Sequence, residues 1–244
     1  MLRDYSLEFE KRVNYLKTKL TESHTKGFVF GNSGGKDSAL VGILCKAACD
    51  KTVGIILPCA SKRNFGEDTD DAVALARQFN IETRVCDLTA VREAELVALT
   101  GVTRVSDAAK ANIAPRLRMT TLYTVAQSEN LLVVGTGNRS ERFMGYFTKH
   151  GDGAFDVNPI ADLTVTEVYE FLEYLNAPEN IIKKAPSAGL FEGQTDEKEM
   201  GVSYAAIDKY IFTGEATDHD REIIERYHRV SEHKRSPAVI YEET

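Results

Sequence analysis

The sequence offers little cysteine chemistry. Its four cysteines, Cys45, Cys49, Cys59 and Cys86, form no CxxC pair and have no histidine partner at the spacing of a zinc site. Cys45 and Cys49 lie four residues apart in a predicted helix, which is typical of small buried side chains. We therefore expect neither a metal-binding nor a redox role for the cysteines.

The sequence also lacks an apolar membrane segment and an excess of basic residues. Its N-terminal stretch alternates charged with apolar side chains, which is unlike a signal peptide or a membrane span. The net charge of −7 and the pI near 5.4 argue against general nucleic-acid binding. We expect a soluble, cytoplasmic protein that binds neither membranes nor nucleic acid.

Two widespread nucleotide-binding motifs are missing as well. The segment FVFGNSGGKDSALVG, residues 28–42, is glycine-rich like a P-loop, but only three residues separate Gly31 from Gly35, where the P-loop has four. Asp37 follows Lys36 in place of the Ser or Thr that binds the metal in a P-loop. No GxGxxG sequence is present, so the dinucleotide-binding fingerprint is excluded too.

The order of the apolar segments predicts an α/β fold. Strands are predicted at GFVFG, TVGIILP, IETRVCDL and LLVVGTG, and they alternate with helices of about a dozen residues. This alternation is typical of a doubly wound parallel sheet, here of about five strands, with helices on both faces. The chain shows no repeat or low-complexity linker, so we expect a single domain over residues 1–244. The helices are predicted at residues 7–20, 38–49, 67–79, 89–99, 112–129, 164–175 and 203–212.

Two irregular segments interrupt this pattern. Residues 138–159 are rich in Gly, Asp, Asn, Lys and Arg, and they form either an active-site segment or a mobile loop. The second segment is KKAPSAGLFEGQTDEKEMG. The stretch at about residues 186–202 would, without further information, be interpreted as a long surface loop. In doubly wound folds, ligands bind beyond the carboxyl ends of the strands. We therefore expect the site near Gly31, Pro58, Asp87 and Gly135, which follow or end the predicted strands.

The hexad SGGKDS comes directly after the first apolar strand and begins a helix. Gly34 and Gly35 permit a tight turn that exposes backbone N–H groups to an anion, and the hydroxyls of Ser33 and Ser38 add donors. The carboxylate of Asp37 is poorly suited to contact phosphate directly, because both groups are negatively charged. It is well suited to bind a Mg²⁺ ion that bridges phosphate oxygens. A capped strand–helix turn would explain the glycine pair by itself, whereas the whole hexad favours phosphate binding.

The hexad resembles the SGGxDS loop of the PP-loop ATP pyrophosphatases, which cleave ATP between its α- and β-phosphates. Further segments are similar to ammonia-dependent NAD⁺ synthetases, and the similarity extends over residues 27–235. They are NIAPRLRMTTLYTVAQ, GTGNRSERFMGYFTKHGDGAFDVNPIADL, KKAPSAGLFEGQTDEKEMGVSYAAID and EHKRSP. The resemblance implies an adenine nucleotide α-hydrolase-like fold. It also implies ATP-dependent amidation of deamido-NAD⁺ by ammonia through an NAD-adenylate, with release of AMP and pyrophosphate.

The resemblance assigns roles to individual residues. Asp37 and Glu141 match the family's Mg²⁺ ligands and are the predicted catalytic pair. Without the flanking motif, Glu141 would be interpreted as part of a solvated ion pair with the neighbouring Arg139 or Arg142. Positions that match ATP contacts are Gly31, Ser33, Gly34, Gly35, Lys36, Asp37, Ser38, Thr136 and Ser187. Positions that match deamido-NAD⁺ contacts are Arg116, Lys149, Asp156, His233 and Lys234, while Arg118 is predicted to be structural. The family further implies Mg²⁺ as cofactor, ATP as co-substrate, a lid at residues 186–202 and a homodimer.

The sequence departs from the family at two positions. Val165 stands where the family commonly has a lysine that contacts ATP phosphates, and Lys36 stands where NAD⁺ synthetases usually have an apolar residue. We predict that Lys36 replaces part of the lost positive charge. The alternative is that Lys36 faces solvent and that other cations, such as Lys183 or Lys184, suffice.

Two other functional classes stay open. A PP-loop enzyme acting on tRNA or another substrate would need a reactive-cysteine arrangement or an RNA-binding extension, and neither is evident. An inactive nucleotide-binding relative is conceivable because of Val165.

Free ammonia is the expected nitrogen donor because the residues before Gly27 leave no room for a glutaminase segment. A glutamine-fed complex with a separate subunit is the alternative.

Overall fold

The computed structural model describes residues 3–60, 66–184 and 195–241. Within these ranges strands and helices alternate along the first half of the chain, and helices predominate after that. The strands are β1 (Phe28–Gly31), β2 (Thr52–Ile56), β3 (Glu82–Val85) and β4 (Leu132–Val133). The helices are α1 (Tyr5–Ser23), α2 (Lys36–Ala48), α3 (Glu67–Gln78), α4 (Thr89–Leu99), α5 (Asp107–Glu129), α6 (Arg139–Met144), α7 (Val165–Tyr174), α8 (Glu179–Ile182), α9 (Asp196–Met200), α10 (Tyr204–Thr213), α11 (Asp218–Val230) and α12 (Glu232–Arg235).

The strands form one parallel sheet in the order β3-β2-β1-β4. Side chains of β1 alternate between the two faces, as strand geometry requires. Phe28 and Phe30 pack into a core with α1, α2 and α7, whereas Val29 packs into a second core with α5. Helices therefore cover both faces of the sheet, which confirms the predicted doubly wound α/β class.

A third apolar cluster lies outside the sheet. It joins α6, α7, α10 and α11 through Met144, Val165, Tyr204, Ile207 and Ile224. This cluster fixes the short helix α6 against the longer helices of the C-terminal half. It therefore determines where residues on α6 stand relative to the sheet.

The strand count differs from the predicted number of about five. Four strands are present in the described ranges, and an isolated parallel bridge between Val134 and Val157 continues the sheet beyond β4. Pro159 follows two residues after Val157 and lacks the N–H that a longer ladder would need. A single bridge thus replaces the fifth strand.

Helix boundaries agree best where the sequence carries a clear signal. α4 begins at Thr89 and ends at Leu99, as predicted. α5 begins five residues before the predicted start because Ser106 caps it, accepting a hydrogen bond from the backbone of Ala109. Five helices of the described ranges are not predicted from the sequence. Four of them, α6, α8, α9 and α12, have only four to six residues and are too short to show periodicity, and the fifth is α11.

The order of the strands reverses direction next to β1. The chain proceeds from β1 to β2 and β3 on one side, and it returns to β4 on the other. In doubly wound folds such a switch point opens a crevice at the carboxyl ends of the strands. The part of the chain that the structure describes contains no helix long and apolar enough to cross a lipid bilayer.

Candidate functional site

A cavity of about 550 Å³ opens at the carboxyl ends of β1 and β4, at the switch point of the sheet. This volume is within the usual range for a small-molecule site. Most of the residues predicted to bind ATP or metal line it. They are Gly31, Ser33, Gly35, Lys36, Asp37, Ser38, Thr136 and Glu141.

The loop between β1 and α2 is held in one conformation by its surroundings. Gly34 has φ +71°, and a Cβ at this position would lie 2.1 Å from the backbone oxygen of Asp68, so only glycine fits there. The side chain of Asn32 donates to the backbone oxygen of Ala72 on α3 at 3.1 Å. The hydroxyls of Ser33 and Ser38 lie 3.0 Å apart. The loop is thus fixed before any ligand binds.

Asp37 and Glu141 come from distant parts of the chain, and Asn138 links them. Asp37 is in the first turn of α2, and its Oδ1 accepts a hydrogen bond of 3.0 Å from Nδ2 of Asn138. Asn138 caps α6 and forms a capping box with Glu141, in which each side chain accepts from the other residue's backbone N–H. This double role of Asn138 sets the relative position of the two carboxylates.

The ammonium group of Lys36 lies between these carboxylates. Its Nζ is 2.6 Å from Oδ2 of Asp37 and 3.8 Å from Oε1 of Glu141, and Lys36 is only 6% exposed. The rings of Tyr169 and Tyr204 also face this group, with centroids 6.0 and 5.8 Å away. The alternative in which Lys36 faces solvent is therefore wrong.

The electrostatics of the cluster follow from its burial. Burial disfavours the charge on Lys36, but the neighbouring Asp37 and Glu141 raise its pKa above the usual value. Burial and the nearby carboxylate of Asp37 raise the pKa of Glu141 well above its usual value, and Lys36 opposes this shift. The ammonium thus compensates two carboxylates that would otherwise repel one another.

The donor chemistry of this pair fits Mg²⁺. Both side chains offer hard carboxylate oxygens, and both converge on one point in the cavity, which the ammonium of Lys36 marks. The described residues contain no cluster of three or more His, Cys, Asp or Glu suited to a metal. Mg²⁺ is commonly held by one or two carboxylates together with substrate phosphates.

Val165, which stands at the position of the family's lysine, is a core residue in this structure. It is 3% exposed and packs in the third apolar cluster, and its N–H donates to Oγ of Ser140 at 3.1 Å. Its side chain does not line the cavity. Lys184 does line the cavity, and its Nζ lies 2.7 Å from Asp68 and 2.6 Å from Asp71.

Three of the residues predicted to bind deamido-NAD⁺ lie together outside the main cavity. Arg116 is exposed, and its Nε donates to the backbone oxygen of Lys149 at 3.4 Å. Lys149 in turn donates from Nζ to the backbone oxygen of His233 at 2.6 Å. The structure thus brings α5, the 138–159 segment and α12 together at one surface, next to the cavity residue Lys234.

The carboxylate of Asp156 accepts two hydrogen bonds from within the protein. Its Oδ2 accepts from the backbone N–H of Val133 on β4 at 2.8 Å, and its Oδ1 accepts from the hydroxyl of Tyr123 at 3.2 Å. It lines a second, more open depression along α5 rather than the main cavity. Asp156 therefore holds the 138–159 segment to the edge of the sheet.

Lys234 and Arg118 bring positive charge to the far wall of the main cavity. Nζ of Lys234 donates to the backbone oxygens of Gly145 and Phe147, at 2.8 Å each, and burial lowers its pKa. Arg118, predicted to be structural, lines the cavity as well; its Nε donates to the backbone oxygen of Leu57 at 2.9 Å, and burial lowers its pKa. The sequence places Arg118 on α5 but gives no sign of the direction in which it points.

Other residues at the cavity are not among the predicted contacts, although Asn138 and Asp196 lie in segments that carry the family resemblance. Asp196, Tyr169 and Asn138 belong to or support the cavity, and each reaches it through tertiary packing. The hydroxyl of Tyr204 donates to Oδ2 of Asp196 at 3.0 Å, which anchors α9 near the carboxylate pair. Ser187 and most of the predicted lid lie outside the described residues; the described end of the lid contains α9.

Comparisons with known proteins agree on one family. The chain matches the model of the NAD synthase family over residues 8–239. The NH3-dependent NAD(+) synthetase of Carboxydothermus hydrogenoformans is 49% identical over 229 residues, which cover 93% of each protein. The structure described as NMN synthetase from Francisella tularensis superposes with a TM-score of 0.93 at 39% identity, over 98% of this chain and 99% of that one. The NH3-dependent NAD synthetase of Campylobacter jejuni superposes with a TM-score of 0.80 at 29% identity, over 99% of this chain and 100% of that one.

Proposed function

We infer the function of this chain from the NAD synthase family, to which it belongs. We propose that it catalyses the ATP-dependent amidation of deamido-NAD⁺ by ammonia, giving NAD⁺, AMP and pyrophosphate. The observation that carries this proposal is the 49% identity, over 93% of the chain, to an NH3-dependent NAD(+) synthetase.

The reaction has two chemical steps. An oxygen of the nicotinate carboxylate attacks the α-phosphorus of ATP, and pyrophosphate leaves. Ammonia then attacks the carbonyl carbon of the acyl-adenylate, loses a proton, and displaces AMP. Both steps bring anionic groups together, so the protein's main contributions are positioning and charge stabilisation.

The loop after β1 is the proposed binding site for the ATP phosphates. Its N–H groups lie at the start of α2, where a helix terminus favours an anion, and the hydroxyls of Ser33 and Ser38 can donate. Thr136, shortly after β4, and Ser187 are proposed as further ATP contacts. Arg118 lines the same cavity and adds positive charge to it, whereas Lys184, which lines it too, is paired with Asp68 and Asp71.

Asp37 and Glu141 are the proposed ligands of Mg²⁺. When bound, the ion would neutralise charge on the phosphates and stabilise the leaving pyrophosphate. Asn138 would hold the two carboxylates in place through its hydrogen bonds to both residues. The proposed lid at residues 186–202 would exclude water from the adenylate.

A second candidate substrate is favoured by the Francisella structure. Its TM-score of 0.93 exceeds the 0.80 of the Campylobacter NAD synthetase, and its description names NMN as the product. The corresponding reaction here would be amidation of nicotinic acid mononucleotide. The two substrates share the pyridine carboxylate and differ in whether an AMP moiety must also be bound. Arg116, Lys149 and His233, which are proposed to bind the dinucleotide, lie outside the main cavity.

We also propose a cytoplasmic homodimer organised as one domain. The family resemblance supports this assembly, and so does α4: none of its residues is buried in the chain as described. Its Val91 and Val97 are 49% and 70% exposed. Sedimentation or light scattering would measure the assembly state.

The test of the function is a coupled assay with ATP, Mg²⁺, ammonium and either deamido-NAD⁺ or nicotinic acid mononucleotide. Amide product and AMP should form in equal amounts, and the ratio of kcat/KM for the two acids identifies the substrate. AMP release that requires tRNA would overturn the proposal in favour of a macromolecular substrate. Nucleotide binding without turnover of either acid would indicate an inactive relative.

A further inference from the structure

The ammonium of Lys36 lies inside the proposed Mg²⁺ site rather than beside it. It contacts Oδ2 of Asp37 at 2.6 Å and approaches Oε1 of Glu141 to 3.8 Å. Mg²⁺ binds oxygens at about 2.1 Å and demands near-octahedral geometry. An ion that takes these same oxygens would stand within a few ångströms of a buried positive charge, where repulsion is only weakly screened.

The surroundings of Lys36 are built to hold a cation. The faces of Tyr169 and Tyr204 lie within 6.0 and 5.8 Å of Nζ. Tyr204 is itself fixed by its hydrogen bond to the buried carboxylate of Asp196. Because Lys36 is 6% exposed, water cannot take over the role of its carboxylate partners.

We propose that Lys36 is the resident counter-ion of the Asp37–Glu141 pair, and that it keeps the Mg²⁺ affinity of the nucleotide-free enzyme low, so that Mg²⁺ enters together with ATP. The inference rests on the proposed function, because that function makes this pair the Mg²⁺ site. The phosphates of ATP offer the ammonium another anion, and Lys36 then leaves the carboxylates to the metal. An apolar residue at this position could not compete with the ion in this way.

The experiment measures Mn²⁺ binding to the nucleotide-free protein by electron paramagnetic resonance, since Mn²⁺ occupies Mg²⁺ sites and is directly visible. Lys36→Met should bind Mn²⁺ roughly tenfold or more tightly than wild type. In the absence of divalent ions the variant should have a lower Tm, because two buried carboxylates lose their counter-ion. Mg²⁺ alone should then raise its Tm more than that of wild type. A purely structural lysine would lower the Tm and leave the Mn²⁺ affinity unchanged, which overturns the proposal.

Two variants control for general effects of charge. Lys46→Met removes a lysine from the other end of the same helix, where Nζ lies 3.0 Å from Asp50, and it should bind Mn²⁺ like wild type. Adding Glu141→Gln to Lys36→Met should abolish the gain in affinity. If the double variant keeps the tight site, the ion binds elsewhere and the proposal fails.

The proposal is also testable if Lys36→Met does not fold. Lys36→Gln provides a second neutral side chain, and wild type alone makes a separate statement: its Tm should not rise with Mg²⁺ unless nucleotide is present. A wild-type Tm that rises with Mg²⁺ alone contradicts the inference. Turnover by wild type is measured separately, so amidation with unaltered metal affinity in the variants overturns only this inference, whereas absent turnover overturns the proposed function.

Discussion

The buried carboxylate of Asp208 on α10 accepts a hydrogen bond from the hydroxyl of Ser140, the residue directly before Glu141. The same carboxylate also accepts from the N–H and the hydroxyl of Thr166 at the start of α7, at 2.9 and 2.7 Å. One side chain therefore joins three helices behind the carboxylate pair. The position of Glu141 depends on a residue that does not itself line the cavity.

We expect Asp208→Asn to weaken both stability and catalysis. The amide offers one acceptor oxygen to three donors and directs an N–H₂ at them, which should lower the free energy of unfolding by about 1–3 kcal/mol. Because Ser140 precedes Glu141 on α6, kcat should fall as well. Urea denaturation and the amidation assay measure the two effects.

The control is Asp218→Asn, an exposed change on α11, which should lower the free energy of unfolding by less than about 1 kcal/mol. Equal losses in the two variants would show that the Asp208 contacts contribute nothing specific.

Gly34→Ala should disrupt the phosphate-binding loop. The residue has φ +71°, and the new Cβ would lie 2.1 Å from the backbone oxygen of Asp68. The conformational penalty alone is about 1–2 kcal/mol for a residue with a side chain. We expect a lower unfolding free energy and a KM for ATP raised about tenfold or more. Gly101→Ala is the matched control, because no atom lies within 4 Å of its added Cβ. If Gly34→Ala retains wild-type ATP kinetics, the loop does not hold the phosphates.

The fold and the loop could be predicted because their signals are local. The strand residues of β1 are continuously apolar, and the hexad lies where β1 meets α2, so sequence position and spatial position coincide there. The pair of Asp37 and Glu141 is predicted only through the family resemblance, because the geometry that joins them depends on Asn138, whose capping box begins a helix of six residues. Such a helix is too short to leave a periodic pattern in the sequence.

The directions of individual side chains at the site could not be predicted, because they depend on tertiary packing. Arg116 and Arg118 are two residues apart on α5, so they point in different directions. Only the structure shows that Arg118 is the one that lines the cavity. Lys36 is similar: its type suggests a phosphate ligand, whereas its buried ammonium contacts two carboxylates. The predicted compensation for Val165 therefore stays a prediction about the ATP-bound state.

Glu129 should stabilise the protein in a pH-dependent manner. It lies at the end of α5 and accepts hydrogen bonds from Arg84 on β3, and Lys51 contacts it at 3.0 Å. Hydrogen bonds from Arg84 and Lys51 lower its pKa to about 2, against about 4.3 for an unperturbed glutamate. A lowered pKa contributes stability that is full above the unfolded value and is lost as the pH falls towards 2.

The measurement is the Tm difference between wild type and Glu129→Gln across this range. The difference should be largest near neutral pH, shrink below about pH 4.3, and approach zero near pH 2. The exposed Glu95 provides a control, because Glu95→Gln should show a small and nearly constant difference. A Glu129→Gln deficit that persists undiminished in acid would mean that the side chain acts through packing rather than through its charge.

Arg116→Ala should reveal which pyridine carboxylic acid is the substrate. The exposed guanidinium of Arg116 lies beside Lys149 and His233, away from the cavity proposed to bind ATP. If it binds the second nucleotide of deamido-NAD⁺, its loss should raise the KM for this substrate about tenfold and leave kcat and the KM for ATP unaltered. Amidation of nicotinic acid mononucleotide should be insensitive to the change, because that substrate carries no AMP moiety.

The control is Arg104→Ala, which removes another exposed arginine and should alter neither reaction. An equal increase in KM for both acids would place Arg116 at the shared mononucleotide instead, and it would remove the basis for treating the Arg116–Lys149–His233 surface as a site for the second nucleotide.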